Sequence, residues 1–186
     1  MKKLISVLLI AASLLCIASC TKKDDNTAPV EGETNYVKLE MENGDSMIIE
    51  LYPDEAPITV RNFKKLVSRH YYDGTVFHRV IEGFMIQGGA GAATDSIKGE
   101  FSANGVKNGI KHDRGVLSMA RAMDPNSAGS QFFIMHETSP HLDGQYAAFG
   151  KICEGLDIVN KIAECATDYM DKPLEPQVMK KVTVET

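Results

Sequence analysis

The sequence predicts a mainly β fold, an antiparallel sheet or closed barrel of about eight strands accompanied by two helices. Three observations carry this. Short runs between Val37 and Val184 alternate apolar and polar residues with the period of a strand. The connections between them are hairpin-like, with no repeated βαβ pattern and no internal repeat. Two stretches alone place apolar residues at helical spacing.

Residues 1–19 read as a targeting segment rather than as fold. Lys2 and Lys3 precede an apolar run from Leu4 to Ile17, too short for a spanning helix. The segment ends Ile17-Ala18-Ser19-Cys20, which resembles the lipobox of bacterial lipoproteins, where cleavage precedes a cysteine that is then lipidated. An ordinary signal peptide with a chance cysteine is the alternative. Residues 20–34 form a polar tether with Pro29 and Gly32 and no apolar period. The domain then occupies residues 35–186. Loss of Lys2 and Lys3 takes the formal net charge from −5 to −7. An acidic domain without tryptophan argues against a nucleic-acid partner.

Val37, Leu39 and Met41 alternate, and so do Met47, Ile49 and Leu51; Asn43-Gly44 between them signals a hairpin. Pro57 suits a first helical turn, and Asp54 and Glu55 are placed to favour its positive end. Val60, Phe63 and Val67 then give a helix from Pro57 to Ser68, stopped at Asp73-Gly74. Phe77 to Gly89 reads as two strands turning at Glu82-Gly83-Phe84, with Ile81 facing Met85 and Arg79 facing Gln87. Alternation sets Arg79, Met85 and Gln87 on one face and His78, Val80 and Ile86 on the other, so that His78 is expected in the core. An arginine in so apolar a hairpin must end in water, in a salt bridge or in a site. Residues 90–111 are glycine-rich and weakly patterned. Strands are expected over Gly115 to Ala120, Gln131 to Met135 and Tyr146 to Ile152, with Gln131 and Phe133 on one face. A second helix is expected over Gly155 to Ala163. A charged loop from Asp168 to Pro176 leads to a last strand, Val178 to Val184. Cys153 and Cys165 flank the second helix. Its ends lie about 15 Å apart at 1.5 Å per residue, beyond the roughly 7 Å that a disulfide spans, so free thiols are expected.

Three stretches together resemble the cyclophilins, the cyclosporin-binding peptidyl-prolyl isomerases. They are Phe77-His78-Arg79-Val80-Ile81 with Phe84-Met85-Ile86-Gln87-Gly88-Gly89; Gly115 to Ala120 followed by Pro125-Asn126 and Gly129-Ser130-Gln131-Phe132-Phe133-Ile134; and Leu142-Asp143-Gly144 with Phe149-Gly150-Lys151. The resemblance runs from Val37 to Val184. It implies a closed eight-stranded antiparallel barrel capped by two helices, with a packed interior and a groove on the outer wall. It implies catalysis by Arg79, Gln87 and Phe133, with Arg79 donating to the imide nitrogen of a twisting X-Pro bond. Gln87 and Gln131 would orient Arg79 and hold the peptide carbonyl. Phe84, Met85, Phe133 and Leu142 would form the pocket for the proline ring, and the main chain at Ala120, Arg121 and Ala122 would pair with the peptide. Arg121 stands where many relatives carry asparagine. His141 and Tyr146, in the groove wall, stand where many eukaryotic members carry tryptophan and histidine, which puts substrate preference and cyclosporin affinity in doubt rather than the chemistry.

Rotation about an X-Pro bond breaks no bond, so neither metal nor cofactor is expected. His70, His112 and His136 also lack ligand spacing with any cysteine or carboxylate pair. The expectation is a monomeric isomerase of proline-containing polypeptides, lipid-anchored through Cys20 in a bacterial envelope, at the outer membrane on its periplasmic or surface face. The alternative is a non-catalytic module that binds proline-containing segments through the same groove.

Overall fold

The computed structural model describes residues 34–185. The targeting segment, Cys20 and most of the tether lie outside them. Eight strands run β1 (Tyr36–Met41), β2 (Ser46–Leu51), β3 (Val76–Ile81), β4 (Met85–Gly88), β5 (Val116–Met119), β6 (Phe132–Met135), β7 (Ala148–Glu154) and β8 (Gln177–Val184). Helices α1 (Pro57–Ser68) and α2 (Leu156–Ala163) complete the domain. Every strand pairing is antiparallel, and the order β1-β2-β7-β5-β6-β4-β3-β8 closes on itself as a barrel. Closure leaves little edge to protect: among the described residues only β3 beyond Phe77 lacks a strand on its β8 side.

Alternation decides what fills the barrel. Val80, Ile86, Ile134 and Leu117 lie directly opposite one another across β3, β4, β6 and β5, and all are buried in the main core. The row beside them, Phe77, Gly88, Phe132 and Met119, also points inward. Gly88 is a glycine for a steric reason: a Cβ there would lie 2.9 Å from the Phe77 ring and 3.0 Å from Met179. Helix α1 inserts Phe63 among these residues, edge-on to Phe132 at 5.5 Å and 5.2 Å from Phe149. Ile158, Val159 and Ile162 of α2 join the same core. The interior is therefore solid, and any site must lie outside it.

The expected hairpin register is found, with Arg79 opposite Gln87 and Ile81 opposite Met85, and Gly83 takes the positive φ of 75° in its turn. His78 is not where alternation puts it. The register slips between Phe77 and Arg79, leaving His78 as the extra residue of a bulge. Phe77 and Val80 both point inward, while His78 is half-buried on the outer wall within reach of the Gln131 side chain. Burial lowers its pKa. Strand β7 begins at Ala148, two residues later than expected, so Tyr146 precedes it.

Neither Asp54 nor Glu55 supplies the anion expected at the start of α1. No acidic residue lies in the first turn, and Ala56 offers no side-chain cap. Glu100, forty residues downstream and only 2% exposed, does so instead. Its Oε1 accepts the Ile58 N–H at 3.0 Å, and its Oε2 accepts the Thr59 N–H and hydroxyl, both at 2.7 Å. These amides have no partner within the helix, and Thr59 is fully buried, so water cannot replace the carboxylate there. Glu55 turns away to accept the Gly109 N–H at 3.1 Å. Cys153 and Cys165 are free thiols. Among the described residues no helix is long and apolar enough to cross a membrane.

Glu100→Ala should lower the unfolding free energy by about 2–4 kcal/mol, because it strands buried donors that now bond a charged acceptor. Urea denaturation of the variant beside the parent protein checks this.

Candidate active site

On the outer wall, one row of directly opposed residues crosses four strands: Arg79 on β3, Gln87 on β4, Phe133 on β6 and Ser118 on β5. With strands about 4.8 Å apart, the first three span roughly 10 Å. The adjoining outer row is Ile81, Met85 and Met135. Met85, Val116, Phe133, Met135, Leu142 and Ala148 form a second buried apolar cluster, separate from the barrel interior. Phe84, Ile81, Ile110, Ala120 and Tyr146 pack against it with one side exposed. Phe84, Met85, Phe133 and Leu142 are thus drawn together outside the main core. Ile110 comes from the weakly patterned loop and had no sequence signal.

The Phe133 ring is held on two sides. His112 stacks on it at 6.1 Å with an interplanar angle of 19°, and Tyr146 meets it edge-on at 5.7 Å. His112 is itself fixed in a buried chain. Its Nδ1 lies 3.1 Å from Asp143 Oδ1 and its Nε2 lies 3.0 Å from Ser118 Oγ. With a carboxylate on one side, Nδ1–H donates to Asp143, and Nε2 accepts the Ser118 O–H; this tautomer follows from the network. Burial is the largest influence on His112 and lowers its pKa in spite of Asp143. Burial alone would raise the Asp143 carboxyl, but hydrogen bonds from His112 and Lys111 outweigh it and lower its pKa. Asp143 was visible in the sequence as part of the Leu142-Asp143-Gly144 motif; its partner thirty-one residues away was not.

The polar groups differ from expectation in one respect. Gln87 Nε2 donates to Gln131 Oε1 at 3.0 Å, so the two amides orient each other. The partner of Arg79 is Asp171, whose Oδ2 accepts from Nε at 3.3 Å. Ala120 N–H is used within the fold, donating to Gln131 O at 2.9 Å, and Ala122 N–H donates to Ser127 Oγ at 2.9 Å. Among the described residues the Arg121 N–H and C=O make no hydrogen bond, leaving both available to an extended chain. The Arg121 guanidinium sits over the Tyr146 ring at 4.7 Å and over the Phe101 ring at 5.2 Å. It also donates to the carbonyls of Gln145 (3.1 and 3.0 Å) and Ala122 (2.9 Å). His141 is exposed and stacks on Phe84 at 5.8 Å. A hollow of about 430 Å³ lies to one side of Phe133, between Gln87, Gln131, Arg121 and the small residues Gly91-Ala92-Ala93.

A closed barrel with a solid interior, and with a cation, paired amides and an apolar pocket on its outer wall, defines the class. The family described as "Cyclophilin type peptidyl-prolyl cis-trans isomerase/CLD" matches residues 36–184. The isomerase-like 1 protein of Gibberella zeae is 41% identical over 156 residues, covering 81% of this chain and 95% of its own length. A peptidyl-prolyl cis-trans isomerase of Acinetobacter baylyi is 40% identical over 166 residues, 84% of each chain. Isomerase 9 of Schizosaccharomyces pombe is 42% identical over 141 residues, but this chain spans only 23% of its length. A Cryptosporidium parvum cyclophilin, crystallised in the presence of the dipeptide Ala-Pro, superposes with a TM-score of 0.73 at 33% identity, covering 81% of this chain and 99% of that one. The chain belongs to the cyclophilin-type peptidyl-prolyl cis-trans isomerases.

The lowered pKa of His112 fixes a pH dependence. Below ~6.5 the unfolded chain binds a proton that the folded form resists, so the folded state binds fewer protons and loses stability as pH falls. The Asp143 contribution is present above its ordinary value of 3.8 and is lost only at lower pH. Urea midpoints should therefore fall as pH drops from ~6.5 towards 5. A His112→Gln variant should show a flatter profile in that window, with the residual slope left to His78.

Proposed function

We propose that this chain accelerates cis-trans rotation about X-Pro bonds in polypeptides of a bacterial envelope, and that Cys20 carries the lipid that holds it there. The observation that supports the reaction most is the single outer row holding Arg79, Gln87 and Phe133 in line. The uncatalysed barrier is ~18–20 kcal/mol because the amide is conjugated. Twisting the bond pyramidalises the imide nitrogen and localises its lone pair. A donor aimed at that lone pair gains little from the planar substrate and more from the twisted state, which is the condition for catalysis.

The proline ring would rest on Phe133 in the pocket of Met85, Leu142 and Phe84, with Tyr146 and His141 as its rim. The main chain of the bound segment would pair with Arg121, flanked by Ala120 and Ala122. Gln87 holds the Gln131 carbonyl oxygen, which leaves the Gln131 amide group to donate to the peptide carbonyl next to the twisting bond. The two sides of the bond would then be gripped while Arg79 receives the nitrogen lone pair. No nucleophile, metal or cofactor enters the step. The Ala-Pro dipeptide present with the Cryptosporidium relative supports proline-containing peptides as the ligand class.

Arg79→Ala should slow isomerisation by about one to two decades, since a charged hydrogen bond contributes ~1.5–3 kcal/mol and ~1.4 kcal/mol is tenfold. A protease-coupled assay on proline peptides with the full-length protein checks this, with a matching circular dichroism spectrum to show that the fold is intact. An unchanged rate would favour a proline-segment-binding module. For the anchor, Cys20→Ala should move the protein from the membrane pellet to the soluble fraction on cell fractionation, and retention in the pellet would remove the lipoprotein reading.

A further inference from the structure

Between α2 and β8 the chain makes an excursion that the sequence marks only as a charged loop. The excursion is well tied. Leu174 N–H donates to Ala166 O at 2.9 Å, and Thr167 and Pro173 face each other as an isolated bridge. Asp168 Oδ1 accepts the N–H groups of Met170 and Lys172 at 2.8 and 3.0 Å. This turn places Asp171 at the tip in the left-handed region, with φ of 63°. The tip lies on β3. Strand β8 pairs with β3 only at Val76 and Phe77, so the rest of β3 needs another partner on that side. Asp171 supplies it: its carbonyl accepts the Val80 N–H at 2.7 Å, and its carboxylate accepts Arg79 Nε at 3.3 Å.

We propose that Asp171 is the positioning residue for Arg79 in the isomerisation step. The inference rests on the reading of Arg79 as the donor. An arginine side chain has many rotamers, and that freedom is lost when it must hold one pose. Arg79 is half-exposed, and among the described residues Gln87, the neighbour expected to steady it, makes its side-chain hydrogen bond to Gln131 and none to Arg79. Asp171 fixes the guanidinium through Nε, which has a single N–H. The four N–H groups of the two terminal nitrogens stay available to the substrate. The main-chain bond to Val80 fixes the carboxylate in turn, because donor strand and anchor move as one unit. The side chains of the pair are 45% and 42% exposed, so the carboxylate is too well solvated to cancel the charge that Arg79 presents. Preorganisation is then the larger effect, and Asp171 raises the rate.

Two substitutions keep the loop while changing the carboxylate, because glycine and asparagine both tolerate a φ of 63°. Asp171→Gly deletes the acceptor and leaves the carbonyl bonded to Val80. In the full-length protein it should lower kcat about two- to fivefold, the range for an exposed ion pair. Affinity for a proline peptide, read by titration calorimetry, should stay the same. Asp171→Asn retains an acceptor oxygen and should lose less. Raising the salt concentration should slow the parent towards the Asp171→Gly rate and leave that variant unaffected. In an Arg79→Ala background, Asp171→Gly should cost nothing further. The proposal is overturned if Asp171→Gly turns over at the parent rate or faster, or if it costs as much without Arg79 as with it. If Arg79→Ala itself leaves the rate unchanged, the donor reading falls and this one with it. If Arg79→Ala slows the enzyme and Asp171→Gly does not, the role of Asp171 alone is lost.

Discussion

The filled interior of the barrel is the constraint on which the rest depends. Eight strands close a ring just wide enough for side chains to occupy it. Here Phe77, Phe132 and Phe149 from the strands pack with Phe63 from α1, and beside them Phe77 and Met179 leave no room even for a Cβ at position 88. No ligand can enter, so chemistry is confined to the outward half of each strand. Period 2 then does the sorting. The residues that alternate with Val80, Ile86, Ile134 and Leu117 are Arg79, Gln87, Phe133 and Ser118, and they form one outward row without further design. The site is the reverse side of the core.

A row on a convex wall is not yet a pocket. Depth comes from the segments laid over the wall, and those are held by polar groups as well as by apolar packing. Glu100 ties the loop after β4 to the start of α1. Asn108 bonds the carbonyls of Glu100 and Ala148 at 2.9 and 2.8 Å, which anchors the same loop to β7. Asp143, His112 and Ser118 fasten the segment carrying Leu142 to β5, beneath Phe133. Glu100, Asn108, His112 and Ser118 are buried and satisfied, so each holds one geometry strongly and would be costly left unpaired. The proposed platform for a proline ring thus depends on a layer of polar contacts beneath and around it.

What the sequence made legible follows from the range of the forces involved. Strand order along the chain, the limits of α1 and the β3–β4 register are set by neighbours a few residues apart, and they were read closely. Pro57, Gly83 and the alternation around Ile86 each state a local rule. His78 was misplaced because a bulge inserts one residue without any local mark, and one residue reverses the face of a side chain. Glu100, His112 and Asp171 were missed for a different reason. Their partners lie between six and ninety-two residues away, and a single polar residue in a loop looks the same whether it bonds water or a distant strand. The motifs pointed to residues of the outer row and its apolar cluster; the residues that hold those in place left no pattern.

The positions where this chain departs from many relatives are not independent of one another. Tyr146 offers its ring to two neighbours: its edge meets Phe133, and its face lies under the Arg121 guanidinium. A histidine at 146 would present a smaller ring that carries positive charge at low pH, a poor floor for a cation. An asparagine at 121 could not span from Ala122 O to Gln145 O as the guanidinium does. The tyrosine and the arginine therefore make sense as a pair that ties the rim of the pocket to the peptide-pairing strand. At 141, where the resemblance implies a tryptophan in many members, the smaller His141 ring stacks on Phe84, with that corner of the rim open to solvent. The wall thus has a tied rim on the Tyr146 side and an open corner on the His141 side, while Arg79, Gln87 and Phe133 share one row. On the proposed reading, changes of this kind would act on which residues flank the proline, because they alter the rim and leave Arg79, Gln87 and Phe133 in place.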